Sequence, residues 1–208
     1  MASDIEPSAK QARRPNWALR AAFVMIGFAA LAGLYVLFSA ATKPSSPDGY
    51  ARFARGEMQR LEVLEDAPPM PTQTLRDGDG GETSLAAFQG EVLVVNLWAT
   101  WCAPCMEEMP TLGALQRNFE GRLRVIPVSV DSEADLEKAK RELAELSEHS
   151  LPFLIDSSRA ILFAAEAAGM PTTIIYDRQG RELARLTAGA DWSGPEAAAL
   201  LEAALAEQ

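Results

Sequence analysis

Apolar positions along this chain follow three rhythms. Ala21 to Thr42 is an uncharged run of 22 residues, rich in Ala, Leu, Phe, Val and Gly. At about 1.5 Å per residue it is long enough to cross a ~30 Å hydrocarbon core. Tyr50 to Glu65 places Tyr50, Phe53, Ala54, Leu61 and Leu64 at helical spacing, which predicts a helix that packs on a domain or forms a stalk. Further on, short apolar runs alternate with amphipathic stretches. Val92–Trp98 and Leu123–Val130 have the length and continuity of strands buried on both faces. Shorter strands are predicted at Phe153–Ile155, Thr172–Tyr176 and Leu183–Thr187. Helices are predicted from Cys102 to about Phe119 (with Pro110 kinking it), at Asp135–Glu148, at Arg159–Ala168 with Gly169 as its cap, and at Ser193–Glu207. Ser193 and Glu196 have capping-box spacing at the start of the last helix.

Turn chemistry divides these elements. Pro44 to Gly49 reads as a linker, and Pro68, Pro69 and Pro71 end the helical stretch before them. Thr72–Leu75 and Glu82–Ser84 flank a Gly- and Asp-rich tip and read as a β-hairpin, followed by a helical turn over Leu85–Gln89. The order β-hairpin, β, α, β, α, β, α, β, β, α implies an α/β domain with a central mixed β-sheet flanked by helices. The final hairpin is expected to form its antiparallel edge. The domain layout is therefore a tail over 1–20, a transmembrane anchor over 21–42, a linker or helical stalk over 43–67, and the α/β domain over 68–208.

Charge gives the anchor a direction. Lys10, Arg13, Arg14 and Arg20 precede the apolar run, and Lys43 follows it. The positive-inside rule places the N-terminus in the cytoplasm and the domain across the membrane. Ser39-Ala40-Ala41 would suit signal-peptide cleavage, but the run exceeds the usual 7–15 residues of a signal peptide, favouring an uncleaved anchor. From residue 43 onward, 15 basic and 27 acidic side chains give a net charge of −12. That argues against nucleic acid or anionic lipid as direct partners. Hydrophobic residues make up 48% of the chain, enough for a sizeable core.

The chemistry gathers at Trp101-Cys102-Ala103-Pro104-Cys105, which holds both cysteines of the chain. A structural zinc site needs four ligands, and His149 is the one histidine. Two thiolates suit Cu(I), but His149 is poorly placed as a third ligand. A disulfide that closes so short a loop would stabilise little. A redox pair has a mechanism. Cys102, where a strand gives way to a helix, gains thiolate character from the helix N-terminus. Cys105, one turn further in, resolves the mixed disulfide. Pro104 suits the first helical turn, and Trp101 would cover the mouth of the site. Glu108 is three residues after Cys105 on the same helix face, where partial burial would raise its pKa and suit it to proton transfer.

Asn96-Leu97-Trp98-Ala99-Thr100-Trp101-Cys102-Ala103-Pro104-Cys105 strongly resembles the active site of the thioredoxin superfamily. Together with Glu108-Met109-Pro110 it is similar to the membrane-anchored bacterial branch of TlpA, ResA and CcmG type. Gly169-Met170-Pro171-Thr172-Thr173 resembles the cis-proline loop of that family, Asp177-Arg178-Gln179-Gly180 the turn after it, and Ala190-Asp191-Trp192-Ser193 the TlpA members most closely. The resemblance implies a thioredoxin-like fold with an N-terminal hairpin and an α insertion. It implies a cis Pro171 against the dithiol, with Met170 presenting backbone to a bound strand. Asn96 stands where cytoplasmic thioredoxin has a buried Asp, so the resemblance assigns the proton to Glu108.

Taken together, these readings describe a membrane-anchored thiol:disulfide oxidoreductase of the bacterial inner membrane with its domain in the periplasm. Cys102, Cys105 and Glu108 are the expected catalytic residues. Trp101, Pro104, Met170 and Pro171 shape the site, and no cofactor is needed beyond the Cys102–Cys105 pair. The resemblance implies reduction of partner disulfides: a copper chaperone, the copper subunit of cytochrome oxidase, or apocytochrome c. Electrons would come from an upstream membrane dithiol protein. A disulfide oxidase or isomerase, and a non-enzymatic Cu(I) chaperone, stand as alternatives.

Overall fold

The computed structural model describes residues 48–206 and, before them, Met25 alone. The predicted span 21–42 lies, but for Met25, outside the described residues. Among the described residues no helix is long and apolar enough to cross a membrane. Contacts divide the chain after Pro44, and the unit that follows carries all the elements below.

An eight-stranded mixed sheet forms the centre, in the order β1 (Leu61–Glu62), β8 (Glu182–Leu186), β7 (Thr172–Tyr176), β4 (Val92–Trp98), β5 (Leu123–Ser129), β6 (Leu154–Ile155), β2 (Leu75–Asp77), β3 (Glu82–Thr83). Its middle is β4 (Val92–Trp98), with all seven residues buried. β4 pairs in parallel with β5 (Leu123–Ser129) and antiparallel with β7 (Thr172–Tyr176). A strand walled on both sides by other strands, and covered on both faces, has no solvent-facing position, so its sequence loses the alternation of a surface strand. β5 continues in parallel to β6 (Leu154–Ile155). That strand pairs antiparallel with β2 (Leu75–Asp77), which forms the predicted hairpin with β3 (Glu82–Thr83).

The other edge differs from expectation. β8 (Glu182–Leu186) pairs with β7, as the final hairpin predicts, but it is not the edge of the sheet. β1 (Leu61–Glu62) lies outside it, with Leu61 opposite Leu186. The stretch read as a linker or stalk is therefore part of the domain from α1 (Asp48–Ala51) onward. Tyr50, Phe53, Met58 and Leu61 are all buried in the core. The helix predicted over Tyr50–Glu65 ends at Ala51, and Gly56, at φ +56°, then makes a left-handed turn that an L side chain resists. The 3-10 turn Gly56–Met58 then packs on the last helix, and the chain becomes a strand that caps the open edge of β8.

α2 (Ala103–Asn118) runs on through Pro110 and packs on β5 and on α3 (Leu136–Leu146). A Cβ on Gly113 would lie 2.8 Å from the Ser147 carbonyl oxygen, so glycine lets α2 approach the end of α3. α4 is shorter than predicted, Ala160–Ala164. It ends because Glu166 turns left-handed at φ +50°, so Gly169 caps nothing. α5 (Pro195–Ala206) starts late as well. Gly194 accepts its first backbone bond, from Ala198, while the Ser193 hydroxyl donates to Asp191 at 2.5 Å. No capping box forms, because the helix begins one residue later than predicted and Gly194, which has no side chain, stands at its N-cap.

Candidate active site

The end of β4 delivers the dithiol. Ala99 accepts a backbone bond from Cys102, and Cys102 forms the N-cap of α2 with β-region dihedrals. Pro104 lies in the first turn, where its missing N–H leaves no orphan. Cys102 and Cys105 are joined by a disulfide, with an S–S distance of 2.02 Å. Cys102 keeps 7% of its surface exposed and Cys105 none, so one sulfur can be approached and the other cannot.

The loop before Cys102 is held from below by a residue the sequence reading overlooked. Asp131, wholly buried after β5, accepts the Thr100 backbone N–H and its hydroxyl, the latter at 2.9 Å. The Ser129 hydroxyl donates to its other oxygen at 2.8 Å. Trp101 is thereby lifted onto the surface, 58% exposed, with the Arg159 guanidinium 5.8 Å from its ring centre. A Ser-x-Asp ending a buried strand was the available signal, but it reads equally well as a turn.

The resolving side has a buried acid behind it. Glu108 is 3% exposed. Its carboxylate accepts Asn96 Nδ2–H at 2.8 Å on Oε1, and on Oε2 the Ala190 N–H and Trp192 Nε1–H, both at 3.2 Å. Burial pushes its pKa up to about 7, and the three hydrogen bonds, Asn96 first, hold it from rising further. Asn96 also donates to the Thr173 hydroxyl at 2.9 Å, tying β4 to β7. Asn96 Oδ1 is buried with no hydrogen-bond partner.

The Met170–Pro171 peptide is cis. Pro171 is buried, and Met170 and Pro104 stand between two hollows. One, of about 420 Å³, holds Trp101, Cys102, Leu162 and Ala167. The other, of about 770 Å³, holds Glu108, Pro171 and Thr187. Six of the seven predicted site residues thus line these two hollows, and the seventh, Cys105, is buried behind them in its bond to Cys102. His149 is exposed beyond α3, in a different hollow beside Arg117 and Arg124. Among the described residues no group of three or more His, Cys, Asp or Glu could hold a metal ion.

Comparison with known proteins places this geometry. Residues 67–181 match the model of the AhpC/TSA family. The thioredoxin-like protein YneN of Bacillus subtilis is 32% identical over 117 residues, covering 56% of this chain and 68% of that one. The thiol-disulfide oxidoreductase ResA of Geobacillus thermodenitrificans is 30% identical over 135 residues, covering 64% and 75%. Among solved structures, a Chlorobium tepidum protein assigned as the thiol:disulfide interchange protein DsbE superposes with a TM-score of 0.60 at 23% identity, over 68% of this chain and 99% of that one. That likeness shows the thioredoxin-like fold.

Proposed function

The chain belongs to the AhpC/TSA family and is a thiol–disulfide oxidoreductase of the ResA and CcmG type, and from that premise we propose that it works as a membrane-anchored, periplasmic reductase of specific protein disulfides. The reaction begins from the dithiol. The Cys102 thiolate attacks one sulfur of the partner disulfide, and the other partner sulfur leaves as a thiolate. Cys105 then gives its proton to the Glu108 carboxylate and attacks Cys102 Sγ. The mixed disulfide breaks, and the second partner thiolate departs and is protonated. Two electrons pass to the partner, and the Cys102–Cys105 disulfide remains. A membrane dithiol protein restores the reduced form.

One observation carries this reading: a wholly buried Cys105 with a buried, near-neutral-pKa Glu108 one helical turn further on. A proton acceptor of that kind suits the resolving step, because its pKa lies near working pH. The uncharged run 21–42, preceded by four basic residues, supports the anchor and its orientation. The partners we propose are proteins that receive copper or haem: copper-site proteins of cytochrome oxidase, or apocytochrome c. Trapping tests this. Full-length Cys105→Ser cannot resolve its mixed disulfides, so partners accumulate on Cys102. Identification of such assembly proteins is the expected result, and their absence from a well-populated set of adducts would overturn the assignment.

A further inference from the structure

The larger hollow beside the dithiol has walls of opposite character to the smaller one. Its floor is Glu108, and its far wall is the loop 187–191. That loop lies close against the start of α2: a Cβ on Gly189 would meet Pro104 Cβ and O at 3.4 Å. The near wall is the N-terminal segment, which reaches the site because Gly56 turns it against α5. A Cβ on Gly56 would come within 2.9 Å of Glu196 Oε1. Glu57 and Arg60 then face the hollow from one side, with Glu107 and Asp191 on the rim. All four are exposed. Among the described residues no ion pair engages Glu57, Glu107 or Asp191, and Arg60 is the one basic residue lining the hollow against these three carboxylates.

The smaller hollow, over Cys102, is apolar, lined by Trp101, Leu162 and Ala167, with the Arg159 cation above Trp101. The two hollows share Pro104 and Met170, so they form one furrow that crosses the dithiol and changes from apolar to acidic as it passes Met170. A partner held against Met170 by its backbone lays the residues on either side of its cysteine into opposite halves.

We propose that the acidic half of this furrow is a charge-selective subsite, which takes lysine or arginine side chains on one flank of the partner's reactive cysteine, with an apolar residue on the other. This rests on the reading that the dithiol exchanges with partner proteins. It makes substrate choice a property of the N-terminal segment and the 187–191 loop, and leaves the exchange chemistry to α2. A lysine laid between Glu57 and Asp191 lowers the field of both carboxylates, whereas a glutamate there adds a third.

Full-length Cys105→Ser, reduced, tests this with three peptides. Each carries leucine on one side of a cysteine bonded to thionitrobenzoate. On the other side lie two lysines, two glutamines or two glutamates. The Cys102 thiolate displaces thionitrobenzoate, whose absorbance reports the second-order rate. At ~0.02 M salt the lysine peptide is expected to react roughly tenfold faster than the glutamate peptide. The ratio falls toward one at ~0.5 M salt. It also falls in Glu57→Gln combined with Asp191→Asn, a pair that keeps the Asp191 acceptor for Ser193. Equal rates for the three peptides at low salt would overturn the proposal while leaving the exchange reading intact, as would a ratio that survives the double substitution. Failure of all three peptides to release thionitrobenzoate would instead overturn the exchange reading, and the subsite with it.

Discussion

Asn96 Nδ2 donates to Glu108 Oε1 at 2.8 Å, from the central strand to the active-site helix. Each protein group bonded to that carboxyl is a donor: Asn96, Ala190 and Trp192. The ionised form is thus matched by hydrogen bonds but penalised by burial. The neutral form escapes the burial penalty but brings a proton to a site built of donors. These opposed terms set the acid near neutrality, and they can be taken apart.

Removing the Asn96 donor should unbalance them. Asn96→Leu keeps the volume and deletes the hydrogen bond, so the Glu108 pKa should rise above about 7. Carboxyl 13C chemical shifts followed through a pH titration report it. A midpoint that stays put or falls would show that Asn96 does not hold the ionised form.

Glu108→Gln keeps the shape and loses the proton. Exchange through Cys105 should slow by roughly a hundredfold near neutral pH, and the rise in rate through pH 7 should flatten. Stopped-flow reduction of a peptide disulfide from pH 6 to 9 is the measurement. A profile that matches the unsubstituted protein would remove Glu108 from the reaction.

The same acid links stability to pH. The Glu108 pKa is raised from 4.5 to about 7 on folding, so the folded state holds the proton more tightly. Its stabilising contribution is complete below the unfolded value and is lost as pH rises through about 7. The difference across that window is roughly 3 kcal/mol. Urea unfolding between pH 4 and 8 should show this decline, and Glu108→Gln should lack that part of the slope.

Asp131 should matter for the loop it holds. Asp131→Ala leaves the Thr100 N–H without its acceptor under Trp101 and frees Ser129. Loss of charge-assisted bonds at a buried site should cost about 3 kcal/mol. Denaturant midpoints measure it, and a change below ~1 kcal/mol would mean the loop is held by packing instead.

The N-terminal segment should behave as core. Met58 is fully buried, and Met58→Ala should destabilise the domain by roughly 2–5 kcal/mol. A chain that begins at Pro68 should be less stable than one that begins at Asp48, since it strips β1 from β8. Equal midpoints would return the segment to the status of a linker.

Several parts of this molecule were legible in short windows of the chain. Val92–Trp98 reads as a doubly buried strand because seven consecutive residues there offer no face to water. Cys102, Pro104 and Cys105 announce a helix start because each residue suits its own turn position. Glu108 can be placed on the Cys105 face from helix geometry alone. In each case the interacting positions lie within one or two turns, and periodicity or turn chemistry is enough.

The surroundings of those residues were not legible in that way. Ala190 and Trp192 reach Glu108 across 82 and 84 residues, and the local motif that holds them says nothing of that contact. Asn96 stands out in the sequence as an amide where cytoplasmic thioredoxin has an acid, yet its bond to Glu108 depends on how β4 meets α2. Tyr50 to Glu65 reads as a helix, packed on the domain or standing as a stalk, because its apolar spacing fits one. Its place at the sheet edge depends on β8 having an open side that only the assembled sheet creates. The sequence names the groups that react. The packing of distant segments sets their burial, their hydrogen bonds and hence their pKa, because desolvation belongs to the whole surrounding and to no single stretch of chain.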